Sequence, residues 1–246
     1  AALTRMPGFA SRLERARVAP TVAMSVRARA LRDAGVDVVT LTIGEPDFPT
    51  PPHAIAAAHE AALRGETRYP PQDGTRALKA AVQRKFLRDH GLEYPVEQIV
   101  VGNGGKQVLF DAMLATVEAG DEVLIPAPYW SAYALMTHVV GGTPTFVNCP
   151  QNNGFRLRPA DLDAAITPRT RWLMLNFPNN PSGAACGRAD LLEIAAVMAR
   201  HRHVWILSDD MYEHLVYDGF ARTTLAAVAP ELRERVLTVS GVSKTY

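Results

Sequence analysis

Cysteine is scarce in this chain: Cys149 and Cys186 are the only two among 246 residues. Two thiols cannot build a disulfide framework, and they lack metal-ligand spacing. A secreted disulfide scaffold and a zinc module are therefore excluded, and a reducing compartment fits. An excess of charge of one sign is missing too. Lys plus Arg number 26 against 25 for Asp plus Glu, which gives no electrostatic case for a nucleic-acid partner, a partner that usually needs a basic stripe. Long hydrophobic runs are also lacking. No stretch approaches the roughly 18 apolar residues of a membrane span, and the N-terminal "AALTRMPGFASRLERARV" has no apolar core of signal-peptide length. The expectation is a cytoplasmic protein with no metal, no membrane and no nucleic acid among its partners. The remaining composition, 48% hydrophobic and 21% charged, is that of a globular chain, and small-molecule chemistry is the function class left.

Apolar runs alternate with helical patterns along the chain. "EQIVVGNGG" reads as a strand ending in a glycine turn, and "KQVLFDAMLATV" then sets Val108, Leu109, Ala112 and Met113 on one helical face. "DEVLIPAPYW", "TPTFVNC", "RWLMLNFPNNPSG", "HVWILSDD" and "RVLTVSG" read as further strands. "SAYALMTHVV" and "ADLLEIAAVMARH" read as helices between them. Repeated βα alternation predicts an α/β fold with a mostly parallel sheet and helices on both faces. The first fifty residues differ: an arm, a helix over "VAMSVRARALRDAG", a short strand "VDVVTLTIG", and then a proline-rich stretch that continues neither.

Polar residues gather where the predicted strands end, and ligands of open parallel sheets bind at those carboxyl ends. The groups are Asn103 to Lys106, Tyr129 and Trp130, Asn176 to Asn180, and Asp209 to Tyr212, with Lys244 after the last strand. Singly each has a plainer reading: a glycine-entered helix start, a buried aromatic, a turn cluster, a cap, a solvated lysine. As a set they match one ligand. Gly104 and Gly105 leave N–H donors at a helix start for a phosphate, and Trp130 offers a face to a planar ring. Asp209 suits a protonated ring nitrogen, Asn180 and Tyr212 suit a ring hydroxyl, and Lys244 suits an aldehyde. Phosphate, ring, nitrogen, hydroxyl and aldehyde together describe pyridoxal 5′-phosphate.

From "IGEPDF" at 43–48 through "NGGKQ", "PAPYW", "NFPNNPSG" and "SDDMYEHL" to "SGVSK", the chain resembles the fold-type I pyridoxal-phosphate enzymes. Within them it resembles the class I/II aminotransferases, and the wording is most similar to bacterial aspartate aminotransferases. The resemblance implies a three-layer α/β/α large domain over residues 51–246. Residues 1–50 are an arm and segment packing on the side of a small C-terminal domain, which is expected beyond residue 246 together with a carboxylate-clamping arginine. It implies Lys244 as the Schiff-base lysine, Asp209 on the pyridine nitrogen, Tyr212 and Asn180 on the ring oxygen, and Trp130 stacked on the ring. Gly104, Gly105 and Lys106 line the phosphate end, and Gly44 lies on the substrate carboxylate side. Tyr69 reaches the phosphate of a neighbouring subunit, hence a homodimer with shared sites. Ser240 stands where the lysine motif of those relatives has Asn. Ala19-Pro20-Thr21 stands where relatives selective for acidic substrates have Ser-Pro-Thr. The implied reaction is transamination of an amino acid, aspartate first, with 2-oxoglutarate. Alternatives are prephenate or an aromatic amino acid as partner, a lyase or synthase of the same fold, and, from another class, a non-catalytic pyridoxal-phosphate-sensing module of a regulator.

Overall fold

The computed structural model describes residues 8, 10–14, 20–42 and 44–246. Five strands form one sheet: β1 (Glu122–Ala127), β2 (Thr143–Asn148), β3 (Thr170–Asn176), β4 (Trp205–Asp209) and β5 (Val236–Val239). Their spatial order is β2-β1-β3-β4-β5, and every pairing is parallel. The inner strands β1, β3 and β4 read as largely apolar runs because both faces are covered, whereas the edge strand β2 is mostly unburied. Successive side chains alternate between two cores. Leu124, Leu173, Leu175 and Ile206 face a core shared with Phe86, Leu162, Leu191, Ile194 and Met198. Val123, Ile125, Trp172, Met174 and Leu207 face the other, with Leu109, Met113, Tyr133 and Met136.

The helices therefore fall into two outer layers. On the first face lie α3 (Arg76–His90), α6 (Pro159–Ala165), α7 (Arg188–Arg200) and the short α8 (Leu225–Val228). On the second lie α4 (Gly105–Thr116) and α5 (Ala132–Val140). This is the expected α/β/α sandwich. The chain steps from β1 to β2 over one face and travels back past β1 to β3, β4 and β5 over the other. The order thus reverses between β1 and β3, and a crevice opens at their carboxyl ends, where open α/β sheets bind ligands.

Two strands expected from the sequence are not formed. Residues 96–98 make a 3-10 turn, and Ile99 to Val101 run on without a ladder partner; Val101 N–H donates instead to the Asp73 carbonyl at 3.0 Å. Three β-prone residues between that turn and Gly102 are too few to reach a sheet edge. The segment 36–42 is likewise irregular, with Val39 88% and Leu41 95% exposed. Its threonines are tied to α1 (Pro20–Asp33) by Ser25–Thr42 and Arg32–Thr40 hydrogen bonds rather than to a strand. Conversely, α3 and α2 (Pro52–Leu63) are additional helices. The first begins at a Thr75 cap accepting from Leu78 N–H and ends at Gly91 with φ +66°, the paired signals of a start and a stop. The arm at 1–7, Ile43 and Ala19 lie outside the described residues.

Candidate active site

Parallel strands deliver their ends side by side: Asn176, Asp209 and Val239 are register partners on β3, β4 and β5. The residues that follow, with the start of α4 and the segment after β1, enclose a cavity of about 240 Å³. It brings together Gly104, Gly105, Lys106, Trp130, Asn180, Asp209, Tyr212 and Lys244. Of the remaining residues named from the sequence, Gly44 lies at the rim, where its carbonyl accepts from Lys244 Nζ at 2.8 Å. Tyr69 is fully exposed and does not line the cavity.

At one end the chain enters α4 through Gly104, whose φ of +89° is costly for any other residue. No side chain caps that helix, so its first N–H groups are available to an anion. Of the Asn103 to Lys106 group, Gly104, Gly105 and Lys106 reach the cavity, and without a preceding strand, which corrects the sequence expectation. A Cβ at Gly105 would meet Met211 Cε at 2.5 Å, so a side chain there would displace the end of Met211.

At the floor, Asp209 is 4% exposed. Its Oδ2 accepts from the Tyr133 hydroxyl at 2.5 Å and its Oδ1 from Met211 N–H at 3.2 Å. Burial raises its pKa, while the Tyr133 and Met211 hydrogen bonds pull the other way. No cation pairs with it among the described residues. Burial and the neighbouring Asp209 charge push the Tyr133 phenol well above its usual value, so it remains a donor. A buried carboxylate without a counter-charge, facing a cavity, fits a ligand that brings its own N–H⁺.

A relay of amides fixes the wall beside it. Asn176 Nδ2 donates to the Asp209 carbonyl at 2.9 Å, Asn176 Oδ1 accepts from Asn180 N–H at 2.8 Å, and Asn180 Nδ2 donates to the Tyr212 hydroxyl at 3.0 Å. Trp130 stands edge-on to Tyr133 with centroids 5.4 Å apart, and Lys106 Nζ lies 5.4 Å from the Trp130 ring. Lys106 forms no ion pair among the described residues, so a positive charge stays available at the cavity wall.

Sequence reasoning did not assign Tyr133, Met211 or Ser243 to the site, though all three line it. For Tyr133 a signal exists: a phenol one helical turn after Trp130 on an otherwise apolar face needs a buried partner. The residues present fit pyridoxal 5′-phosphate group by group, with the helix start for phosphate and Asp209 for the ring nitrogen.

The comparisons with known proteins agree. The family described as "Aminotransferase class I and II" matches residues 36–246. An aspartate aminotransferase of Rhizobium meliloti (strain 1021) is 49% identical over this whole chain, which covers 60% of that relative. An aspartate/prephenate aminotransferase of Cereibacter sphaeroides is 50% identical over 95% of this chain and 58% of its own length. Among solved structures, the aspartate aminotransferase of Rhizobium meliloti superposes with a TM-score of 0.94 at 50% identity, covering 97% of this chain and 60% of that one. The Thermus thermophilus aspartate aminotransferase solved with maleate gives 0.91 at 40% identity, covering 97% and 61%. The chain spans about 60% of the length of these relatives. With a family match over most of its length, and a cavity built from the motifs that carry the resemblance, the chain belongs to the class I and II aminotransferases.

Proposed function

We propose that the protein carrying this chain is a pyridoxal-phosphate-dependent aminotransferase. It moves an amino group between an amino acid, aspartate first, and a 2-oxo acid, 2-oxoglutarate first; prephenate is the alternative partner suggested by the relative from Cereibacter sphaeroides. The observation that carries this reading is the uncompensated buried carboxylate of Asp209 in a cavity that also holds Lys244.

When bound, pyridoxal 5′-phosphate supplies an aldehyde that bonds to amines and a ring that takes up an electron pair. The chain does the rest. The first N–H groups of α4 hold a phosphate, and Trp130 gives a ring a flat face. Asp209 keeps a ring N–H⁺ in place. Asn180 and Tyr212, already hydrogen-bonded to each other, orient a ring oxygen. The Lys244 amine would be the covalent anchor for that aldehyde and, as a free amine, would take a proton from the substrate Cα and later return it. Lys106 offers its unpaired ammonium to a second carboxylate, which favours dicarboxylic substrates, and the Thermus relative was solved with one such acid. Gly44, held against Lys244, serves the substrate carboxylate side through its backbone.

The reading extends to a cytoplasmic homodimer. Two free, buried thiols support a reducing compartment, and the fully exposed Tyr69 supports a contact from one subunit to its neighbour's phosphate. The exposed apolar residues of segment 20–50, Val22, Met24, Val26 and Phe48 among them, support its role as a packing surface rather than part of the sheet domain. Among the described residues no helix is long and apolar enough to cross a membrane.

A half-reaction panel tests the chemistry without a guess about the acceptor. The full-length holoprotein, mixed with single amino acids, should release one 2-oxo acid per site from aspartate and glutamate, with a matching change in cofactor absorbance. Absence of release from every amino acid in the panel would contradict the reading.

A further inference from the structure

The residue next to Tyr212 is a carboxylate that does not line the cavity yet is bound from four directions. Glu213 Oε1 accepts from Lys85 Nζ and, at 2.5 Å, from Ser240 Oγ. Its Oε2 accepts from Arg222 Nη1 at 2.8 Å and from His90 Nε2 at 2.7 Å. Facing a carboxylate, His90 must be the donor in that last contact. Asp89 lies on the far side of the same cations, 3.8 Å from Lys85 and 3.7 Å from Arg222. Burial opposes ionisation of Glu213, but the hydrogen bonds from His90, Lys85 and Ser240 outweigh it and hold the group far below the usual carboxylate range. Asp89, Glu213 and His214 bring ligand atoms within 4.8 Å of one another, but a divalent cation there would meet the fixed charges of Lys85 and Arg222.

Three of the four donors would satisfy this carboxylate by themselves. The fourth, Ser240, is different because of where it leads: it opens the loop that ends at Lys244, whereas Glu213 is bonded directly to Tyr212. The Ser240–Glu213 hydrogen bond is thus a tie between the two segments that carry the amine and the phenol of the site. Lys85 and His90 fasten that tie to α3 in the outer layer.

We propose that Glu213 is a positioning residue: through Ser240 it sets the separation between the Lys244 amine and the Tyr212 hydroxyl, which must meet one aldehyde-bearing ring. This rests on the cofactor reading above. Attachment then depends on geometry more than on affinity, since a misplaced nucleophile loses rate although the ligand still binds.

The test compares full-length wild type, Ser240→Ala and Ser240→Thr. Tryptophan fluorescence quenching gives affinity for pyridoxal 5′-phosphate, timed borohydride quenching with peptide mapping gives the rate of covalent attachment at Lys244, and thermal midpoints report the fold. Ser240→Ala should attach cofactor about tenfold more slowly with affinity within about threefold and a midpoint near wild type. Ser240→Thr, which keeps the hydroxyl, should restore the rate. Glu213→Gln, keeping shape but not charge, should slow attachment at least as much as Ser240→Ala. Attachment at the wild-type rate in Ser240→Ala would overturn the positioning role, as would a slowing that only tracks lost thermal stability. Failure of wild type to label at Lys244 would instead overturn the cofactor reading.

Discussion

Asp209 and Asp210 are neighbours in the chain and both buried, yet only Asp209 lines the cavity. Asp210 packs among hydroxyls: Ser208 Oγ donates to its Oδ1 at 2.8 Å, and its Oδ2 has no partner. Burial, opposed by the neighbouring Thr224 and Ser208 hydroxyls, pushes its pKa up to about 7. Between the unfolded value of 3.8 and about 7 the folded state binds the extra proton, so this group's contribution to stability declines as pH rises through that window. Asp210→Asn removes the titration. Its stability relative to wild type should improve by roughly 1–3 kcal/mol between pH 5 and pH 8, read from denaturant unfolding at both pH values. An unchanged difference would place the charge of Asp210 elsewhere. At this scale the sequence is legible where residue type and order suffice: a lysine after a strand, an acid at a strand end, an aromatic after "PAP". The Tyr133–Asp209 bond spans 76 positions and is visible only once β1 and β4 lie in one sheet.

Elements show the same division. The five strands and helices α4, α5 and α7 are readable because their apolar periods are clean. Ile99 to Val101 and segment 36–42 have the composition of strands, but whether they pair depends on a free neighbouring edge, which composition does not encode. Loops joining these elements meet through one side chain. Met211 lies between the start of α4 and the lysine loop: a Cβ on Gly105 would meet its Cε at 2.5 Å, and one on Gly241 would meet Cε at 2.8 Å and Sδ at 2.9 Å. Ser243 Oγ also approaches Sδ at 3.7 Å. Gly241→Ala therefore has to displace the Met211 thioether, which lines the cavity. Overpacking of this kind costs about 1–3 kcal/mol, and affinity for pyridoxal 5′-phosphate should fall about tenfold, since a tenfold change corresponds to about 1.4 kcal/mol. Adding Met211→Ala in the same chain should recover most of that affinity, as measured by fluorescence titration. No recovery would show that Gly241 is needed for its backbone and not for the space it leaves.

At the scale of the whole molecule, burial among the described residues is uneven: the sheet and the helices on it enclose two packed cores, while the first two helices are little buried. Helix α2 has no buried residue, and among the described side chains of α1 only Ala28 is buried. Large exposed apolar surface of this kind marks an interaction surface, in line with the proposed packing role of segment 20–50 and the proposed dimer. The central claim, however, is local to the cavity: Lys244 is the residue that holds pyridoxal 5′-phosphate, out of the several lysines available. Borohydride reduction of the full-length protein loaded with that cofactor, followed by peptide mapping, tests it directly. The site geometry predicts one reduced cofactor per chain, on Lys244, and loss of the label in Lys244→Ala. A label on Lys79, Lys85 or Lys106 in the wild type, or one that persists in Lys244→Ala, would contradict it.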